Sequence, residues 1–229
     1  MNLKDKVIVI TGASRGLGEA LARAFASHQA KVVVSSRSTE DLKKLAEEIR
    51  AEAVTTDVTK ESDVNHLVSR VIEKYGQIDV WINNAGIWMK HGPITELDTD
   101  KLRQVIDVNL IGTVHGSKVA LIQMKRQHQG TIVNIISTSA LEGRLGSSGY
   151  GASKFAADGF TKSLQLEAKE SGVRAIAVYP GGTQTHLFDE QKPDGYDSYM
   201  KPSDVAEKIV ANLELEAPEE SLILKRPTA

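Results

Sequence analysis

The stretch Val7-Ile8-Val9-Ile10-Thr11-Gly12-Ala13-Ser14-Arg15-Gly16-Leu17-Gly18 joins a short apolar run to three glycines. The run is far too short for the core of a signal peptide and reads as a buried strand. Directly after it, Leu17, Leu21, Ala24 and Phe25 recur on one face of a helix. Strand, glycine turn and helix in that order suit a dinucleotide. Glycines let the backbone turn tightly and approach a pyrophosphate, while the helix N-terminus offers free N–H groups and a partial positive charge. The spacing is G-x-x-x-G-x-G, which differs from the G-x-G-x-x-G of many dinucleotide folds. Gly12, Ser14, Arg15, Gly16, Leu17 and Gly18 are therefore candidate cofactor contacts.

Further along, short apolar runs alternate with segments of helical period. The runs cover residues 7–10, 32–35, 53–56, 80–82, 131–136, 175–179 and, more weakly, 222–224. This is the pattern of an α/β fold, a Rossmann-like doubly wound parallel sheet of about seven strands. Leu42, Leu45, Ala46 and Ile49 mark a surface helix behind Ser38 or Thr39 as N-cap. Val64, Leu67, Val68, Val71, Ile72 and Tyr75 mark another, stopped by Gly76. Residues 98 to about 126 read as one long helix and 150–171 as a second, both less polar than surface helices usually are. Residues 186–200 lack a clear period and are expected to form a substrate loop.

With 229 residues, the chain is expected to be one domain, residues 1–229. A net charge of −2 gives no basic excess for nucleic acid or anionic lipid, and no stretch is expected to span a membrane. The absence of cysteine excludes disulfides and thiolate metal sites and fits a cytoplasmic location. Redox chemistry would have to come from a bound cofactor. His28, His66, His91, His115, His128 and His186 have no short ligand spacing, so no metal is expected.

The second strand ends Ser35-Ser36-Arg37. A carboxylate is missing where NAD would use one for its ribose, and Arg37 can fork onto a 2′-phosphate, with Arg15 near enough to help. Ser36 and Arg37 therefore predict NADP(H). Tyr150 and Lys154 stand four residues apart at a helix start, on one face, so that an ammonium could stabilise a phenolate. Ser137 lies at the end of the fifth strand, where ligands bind in open α/β sheets.

Taken together, these motifs resemble the short-chain dehydrogenase/reductase family, NADP(H)-preferring type, over residues 3 to 185. The shared features are the glycine turn, Asp57-Val58, Asn83-Asn84-Ala85-Gly86, Asn109, Ser137, Tyr150, Lys154, and Pro180-Gly181 with Thr185. The resemblance implies Tyr150 as general acid/base, Ser137 as holder of the carbonyl oxygen, and Lys154 as ribose ligand that lowers the Tyr150 pKa. Asn109 would position a water connecting Lys154 to solvent. Asp57 and Val58 would touch the adenine, Asn83, Ala85 and Gly86 the adenosine side, and Pro180, Gly181, Thr183 and Thr185 the nicotinamide end. Thr138 and Ser139 would support Ser137.

Each has a structural reading too: Asn109 and Asn83 as satisfied buried amides, Asp57 as a cap. Thr183, Ala140 and the closing Leu222-Ile223-Leu224-Lys225-Arg226-Pro227 depart from the family pattern. Pocket candidates are Trp88, Met89, Leu141, Glu142, Arg144, Leu145, Leu187, Phe188, Tyr196, Tyr199 and Met200. The expected activity is reduction of a ketone or aldehyde to an alcohol, or the reverse. The alternatives are a 3-oxoacyl reductase and an NADP-sensing regulator without catalysis. A homodimer or homotetramer is expected on the two long helices, whose outer faces are assigned Val114, Val119, Ala156, Phe160 and Leu164.

Overall fold

A computed structural model describes residues 1–193 and 195–226. Asp194 of the expected loop and Pro227 of the closing stretch lie outside the described residues. Seven strands, β1 (Val7–Thr11), β2 (Lys31–Ser36), β3 (Glu52–Thr55), β4 (Val80–Asn83), β5 (Gly130–Ile135), β6 (Val173–Pro180) and β7 (Ser221–Leu224), form one parallel sheet. Their order is β3-β2-β1-β4-β5-β6-β7, so the chain reverses direction across the sheet between β1 and β4. In register, Ile10 of β1 stands between Val34 of β2 and Ile82 of β4. A crevice at the carboxyl ends of the strands flanking such a reversal is the usual ligand position in open α/β sheets.

Alternation along the strands feeds two cores. Ile8 and Ile10 face helices α1 (Gly16–Ser27), α2 (Thr39–Ile49) and α7 (Pro202–Glu214). Val7 and Val9 face α3 (Glu61–Tyr75), α5 (Gly112–Gln127) and α6 (Ser148–Lys169). Helix α7 was not singled out from the sequence, although Pro202 at its start and the buried stripe Val205, Ile209 and Leu213 carry its signature.

The helix expected over residues 98–126 is a compound one. Helix α4 (Thr99–Ile106) passes through a π turn (Asp107–Ile111) into α5, and the turn holds Asn109. The combined run Thr99–Gln127 is long and apolar enough to cross a membrane, which corrects the expectation that no such stretch exists. Its apolar residues Val105, Val119, Ala120, Leu121 and Met124 are packed inside the protein, as in the core helix of a globular domain.

The outer faces assigned to α5 and α6 also need correction. Val119 and Leu164 are core residues, whereas Ile122, Phe155 and Leu166 are the exposed apolar side chains. Without the neighbouring strands, a helical period shows that a stripe exists but not which way it faces. The loop over residues 186–200 contains two single turns, His186–Phe188 and Tyr196–Ser198. Phe188, Tyr196 and Tyr199 hold it together, with ring centroids 5.5 to 6.0 Å apart.

Candidate active site

Beyond β1 the chain turns at Gly12 and Gly16, both with φ above +60°, a conformation that favours glycine. Close approach dictates the rest of the turn. A Cβ on Gly12 would stand 2.6 Å from the Ala85 Cα, and one on Gly18 would stand 2.3 Å from the Gly12 carbonyl. The loop after β4 is tied to this turn by Asn84, whose Nδ2 donates to the carbonyls of Thr11 at 2.9 Å and Gly12 at 3.0 Å. Thr11 Oγ1 in turn accepts from the backbone N–H of Asn84 and Ala85. Helix α1 thus starts from a rigid turn, and no side chain caps its first N–H groups.

A cleft of about 970 Å³ runs from this turn across the carboxyl ends of the strands. One end is lined by Gly12, Ser14, Arg15, Gly16, Leu17, Gly18, Ser36, Arg37, Asp57, Val58, Ala85 and Gly86. The other is lined by Ser137, Tyr150, Lys154, Pro180, Gly181, Thr183 and Thr185. Uncapped helical N–H groups and two guanidiniums at one end, with a phenol, an ammonium and a hydroxyl at the other, make a donor set that fits a nicotinamide dinucleotide. The volume lies near the upper end of the range usual for small-molecule sites, roughly 300–1,000 Å³.

Two sequence candidates stay off the cleft wall. Asn83 points between sheet and helix. It accepts from Trp81 Nε1 at 2.8 Å and donates to Asn134 Oδ1 at 2.8 Å and Ser117 Oγ at 3.0 Å, which uses its amide inside the protein. Its neighbour Asn84 lines the cleft instead. Asn109 is also enclosed: Oδ1 accepts from Ile87 N–H, and Nδ2 donates to the Ile87 carbonyl and to Ser153 Oγ. That side chain fixes the strand-like segment after Gly86, and a Cβ on Gly86 would lie 3.3 Å from it.

Asp57 reaches the cleft while accepting from the N–H and hydroxyl of Thr59, a turn ahead of α3 and not the helix cap expected, since the N-cap position is Lys60. Burial raises its pKa, but the Thr59 hydrogen bonds and the nearby charges of Arg37 and Lys60 outweigh that and leave it below the usual carboxylate range.

At the reactive end, Ser139 N–H donates to Ser137 Oγ at 3.1 Å, so the Ser137 hydroxyl still has its own hydrogen to donate. Lys154 Nζ lies 5.9 Å from the centre of the Tyr150 ring and donates to the Ile135 carbonyl at 3.3 Å. Lys154 is not among the groups that shift the Tyr150 phenol here. Burial pushes the phenol up to about 12, with only the Ser137 hydroxyl and the Arg144 charge pulling it back. Burial likewise lowers the Lys154 ammonium to about 8. Both groups are buried in the cleft wall, where the desolvation of each charged form is the largest effect.

Among the pocket candidates, Trp88, Arg144, Leu187, Phe188 and Tyr199 line the cleft. Met89 and Met200 are buried in the cores, and Leu141, Glu142 and Leu145 project to solvent. Tyr196 is not part of the wall and meets Phe188 edge-on and Tyr199 at a tilt. Sequence reasoning missed Asn84, Lys101, Val108 and Arg226 as wall residues, and did not place His91 there. Arg226 lies 4.0 Å from the centre of the Tyr199 ring, a contact across 27 positions of sequence (226 − 199) that no local pattern announces.

The family model for short chain dehydrogenase matches residues 6–195. An uncharacterized oxidoreductase of Listeria monocytogenes is 35% identical over 224 residues, covering 93% of this chain and 90% of its own. One from Staphylococcus saprophyticus is 36% identical over 220 residues, 93% of each. Among solved structures, an alcohol dehydrogenase from Thermococcus sibiricus complexed with 5-hydroxy-NADP superimposes with a TM-score of 0.88 at 31% identity, over 98% of this chain and 99% of that one. A 3-ketoacyl-(acyl-carrier-protein) reductase from Brucella melitensis complexed with NADH gives 0.92 at 29% identity, over 98% of each chain.

Proposed function

This chain belongs to the short-chain dehydrogenase family, and from that premise we propose that it is an NADP(H)-dependent reductase of ketones or aldehydes, with Tyr150 as general acid. The observation that carries the reading is that Ser137, Tyr150 and Lys154 open onto the same cleft as the glycine turn and Arg37. When bound, a reduced nicotinamide would supply hydride to the carbonyl carbon. The Ser137 and Tyr150 hydroxyls would donate hydrogen bonds to the carbonyl oxygen and stabilise the charge that grows there. Because burial holds the Tyr150 pKa at about 12, the phenol keeps its proton at neutral pH and can deliver it to the forming alkoxide. Lys154, at about 8, is mostly charged at pH 7 and would hold the ribose. Asn109 acts as a positioning residue, through Ile87 and Ser153.

Preference for NADP(H) is supported by Arg37 and Arg15 in the cleft wall, and by neighbours crystallised with 5-hydroxy-NADP and NADP+. The Brucella neighbour holds NADH, so the preference needs its own test. NADPH is expected to bind at least about tenfold tighter than NADH, because a hydrogen bond to a charged group is worth about 1.5–3 kcal/mol. Arg37→Asp is expected to reverse the order. Calorimetric binding constants decide, and equal affinities in the parent would end the assignment.

A homodimer or homotetramer is the proposed assembly, built on the exposed Ile122, Phe155 and Leu166 of α5 and α6. Light scattering should give a multiple of 24.9 kDa, and a monomer mass at every concentration would refute it.

A further inference from the structure

Arg144 stands in the cleft wall on the turn between Ser137 and Tyr150, and the chemistry above leaves its charge unused. The turn is pinned. Ser147 N–H donates to the Arg144 carbonyl at 3.0 Å, and Gly92 N–H donates to the Gly146 carbonyl at 2.9 Å. From this turn the guanidinium donates to Thr138 Oγ1 at 3.3 Å. Thr138 directly follows Ser137, and the Arg144 charge lies close enough to Tyr150 to act on its phenol.

Its acidic neighbour Glu142 is 3.7 Å away, 74% exposed and not part of the wall. An open pair at that distance contributes on the order of 0–1 kcal/mol, which leaves the guanidinium free to take a better partner. The other charged or basic groups of this end are Lys154, assigned to the ribose above, Lys101, Arg226 and His91. Lys101 pairs with Glu190 at 3.5 Å. Arg226 lies over Tyr199 and donates to Ser198 Oγ at 3.0 Å. Burial, together with the Arg144 charge, holds the His91 pKa below the usual histidine value. Around them the wall combines the apolar Trp88, Leu187 and Phe188 with the carboxylates Asp189 and Glu190, which face Arg15 at 3.7 Å and Lys101 at 3.5 Å. A weakly paired guanidinium on the reactive end of a partly apolar wall describes a receptor for a small, singly anionic carbonyl compound.

We infer that Arg144 selects the substrate, a short oxo acid whose carboxylate pairs with the guanidinium while its ketone oxygen reaches Ser137 and Tyr150. The inference rests on the reductase reading above. In the reaction the ketone carbon gains hydride, with its two electrons, from the reduced nicotinamide. Its oxygen gains the Tyr150 proton and the carboxylate is unchanged, so the products are a hydroxy acid and the oxidised cofactor.

The test compares acetoacetate and 4-oxopentanoate with their methyl esters, NADPH being saturating. At least one acid is expected to exceed its ester in kcat/KM by about tenfold or more, the size of one charge-assisted contact. Arg144→Met should bring that acid-to-ester ratio down to about one, and Arg144→Lys should restore part of it. Esters reduced as well as the acids, or a ratio unmoved in Arg144→Met, would overturn the role of Arg144 and leave the reductase standing. Turnover of simple ketones and aldehydes with none of the acids would do the same. If neither the acids nor any neutral carbonyl reacts, the reductase reading falls and this inference falls with it.

Discussion

Tyr150→Phe is expected to lose 10²–10⁴-fold in carbonyl reduction, about 3 to 5 kcal/mol of transition-state stabilisation, while binding NADPH almost as well as the parent. The two effects separate because the hydroxyl and the ring do different things. The ring is packed with Trp88, Met89 and Val105, and phenylalanine fills the same space. Tyr150 is buried in the cleft wall, which pushes its pKa up to about 12 and keeps the hydroxyl a proton donor at neutral pH. Cofactor affinity rests mainly on the other end of the cleft, on the glycine turn, Arg15 and Arg37. Binding constants from calorimetry and single-turnover rates of NADPH oxidation measure the two quantities separately. Retention of more than about a tenth of the activity would remove Tyr150 from the role of acid.

Gly18→Ala is expected to damage that other end. The added Cβ would meet the Gly12 carbonyl at 2.3 Å, Asn84 Nδ2 at 2.5 Å and the Ala13 Cα at 2.9 Å. None of these neighbours is a free side-chain end, since Asn84 is itself bonded to Thr11 and Gly12. The turn must open, at an overpacking cost of about 1–3 kcal/mol, which for a domain of this size lowers Tm by about 2–4 °C per kcal/mol. Misplacing the helix N–H groups should weaken NADPH by about ten- to a hundredfold, the equivalent of one or two charge-assisted contacts. Gly159→Ala provides the control. A Cβ there meets nothing within 4 Å inside α6, and the change should stabilise by about 0.5–1 kcal/mol without touching the cofactor. A Gly18→Ala protein that binds NADPH like the parent would mean that the turn is not its phosphate cradle.

The sheet was legible because buried strands advertise themselves as short apolar runs. All seven lie where the runs predict them, with ends shifted by a residue or two, since the hydrogen-bonded ladder extends into flanking Lys31, Gly130 and Pro180. The cleft was legible for a related reason: glycines and polar residues follow strand ends in an order that the fold brings together. Three features were not legible, each depending on side-chain direction or surroundings. Asn83 and Asn84 are adjacent, so their side chains diverge, and sequence alone cannot say which one faces the cleft. The π turn at Asn109 adds a residue to a helix whose apolar period continues through it. Burial, rather than the Tyr150–Lys154 spacing, sets the direction of the Tyr150 pKa, and a spacing carries no information about solvent.

The central claim is that this cleft transfers hydride, and NADPH deuterated at the reactive carbon of the nicotinamide tests it most directly. Incubated with a panel of ketones, aldehydes and oxo acids, the protein should yield at least one alcohol carrying a single deuterium on the former carbonyl carbon, one for each NADPH consumed. Tight NADPH binding with no deuterium in any product would contradict the account and favour a nucleotide sensor that kept the fold without the chemistry.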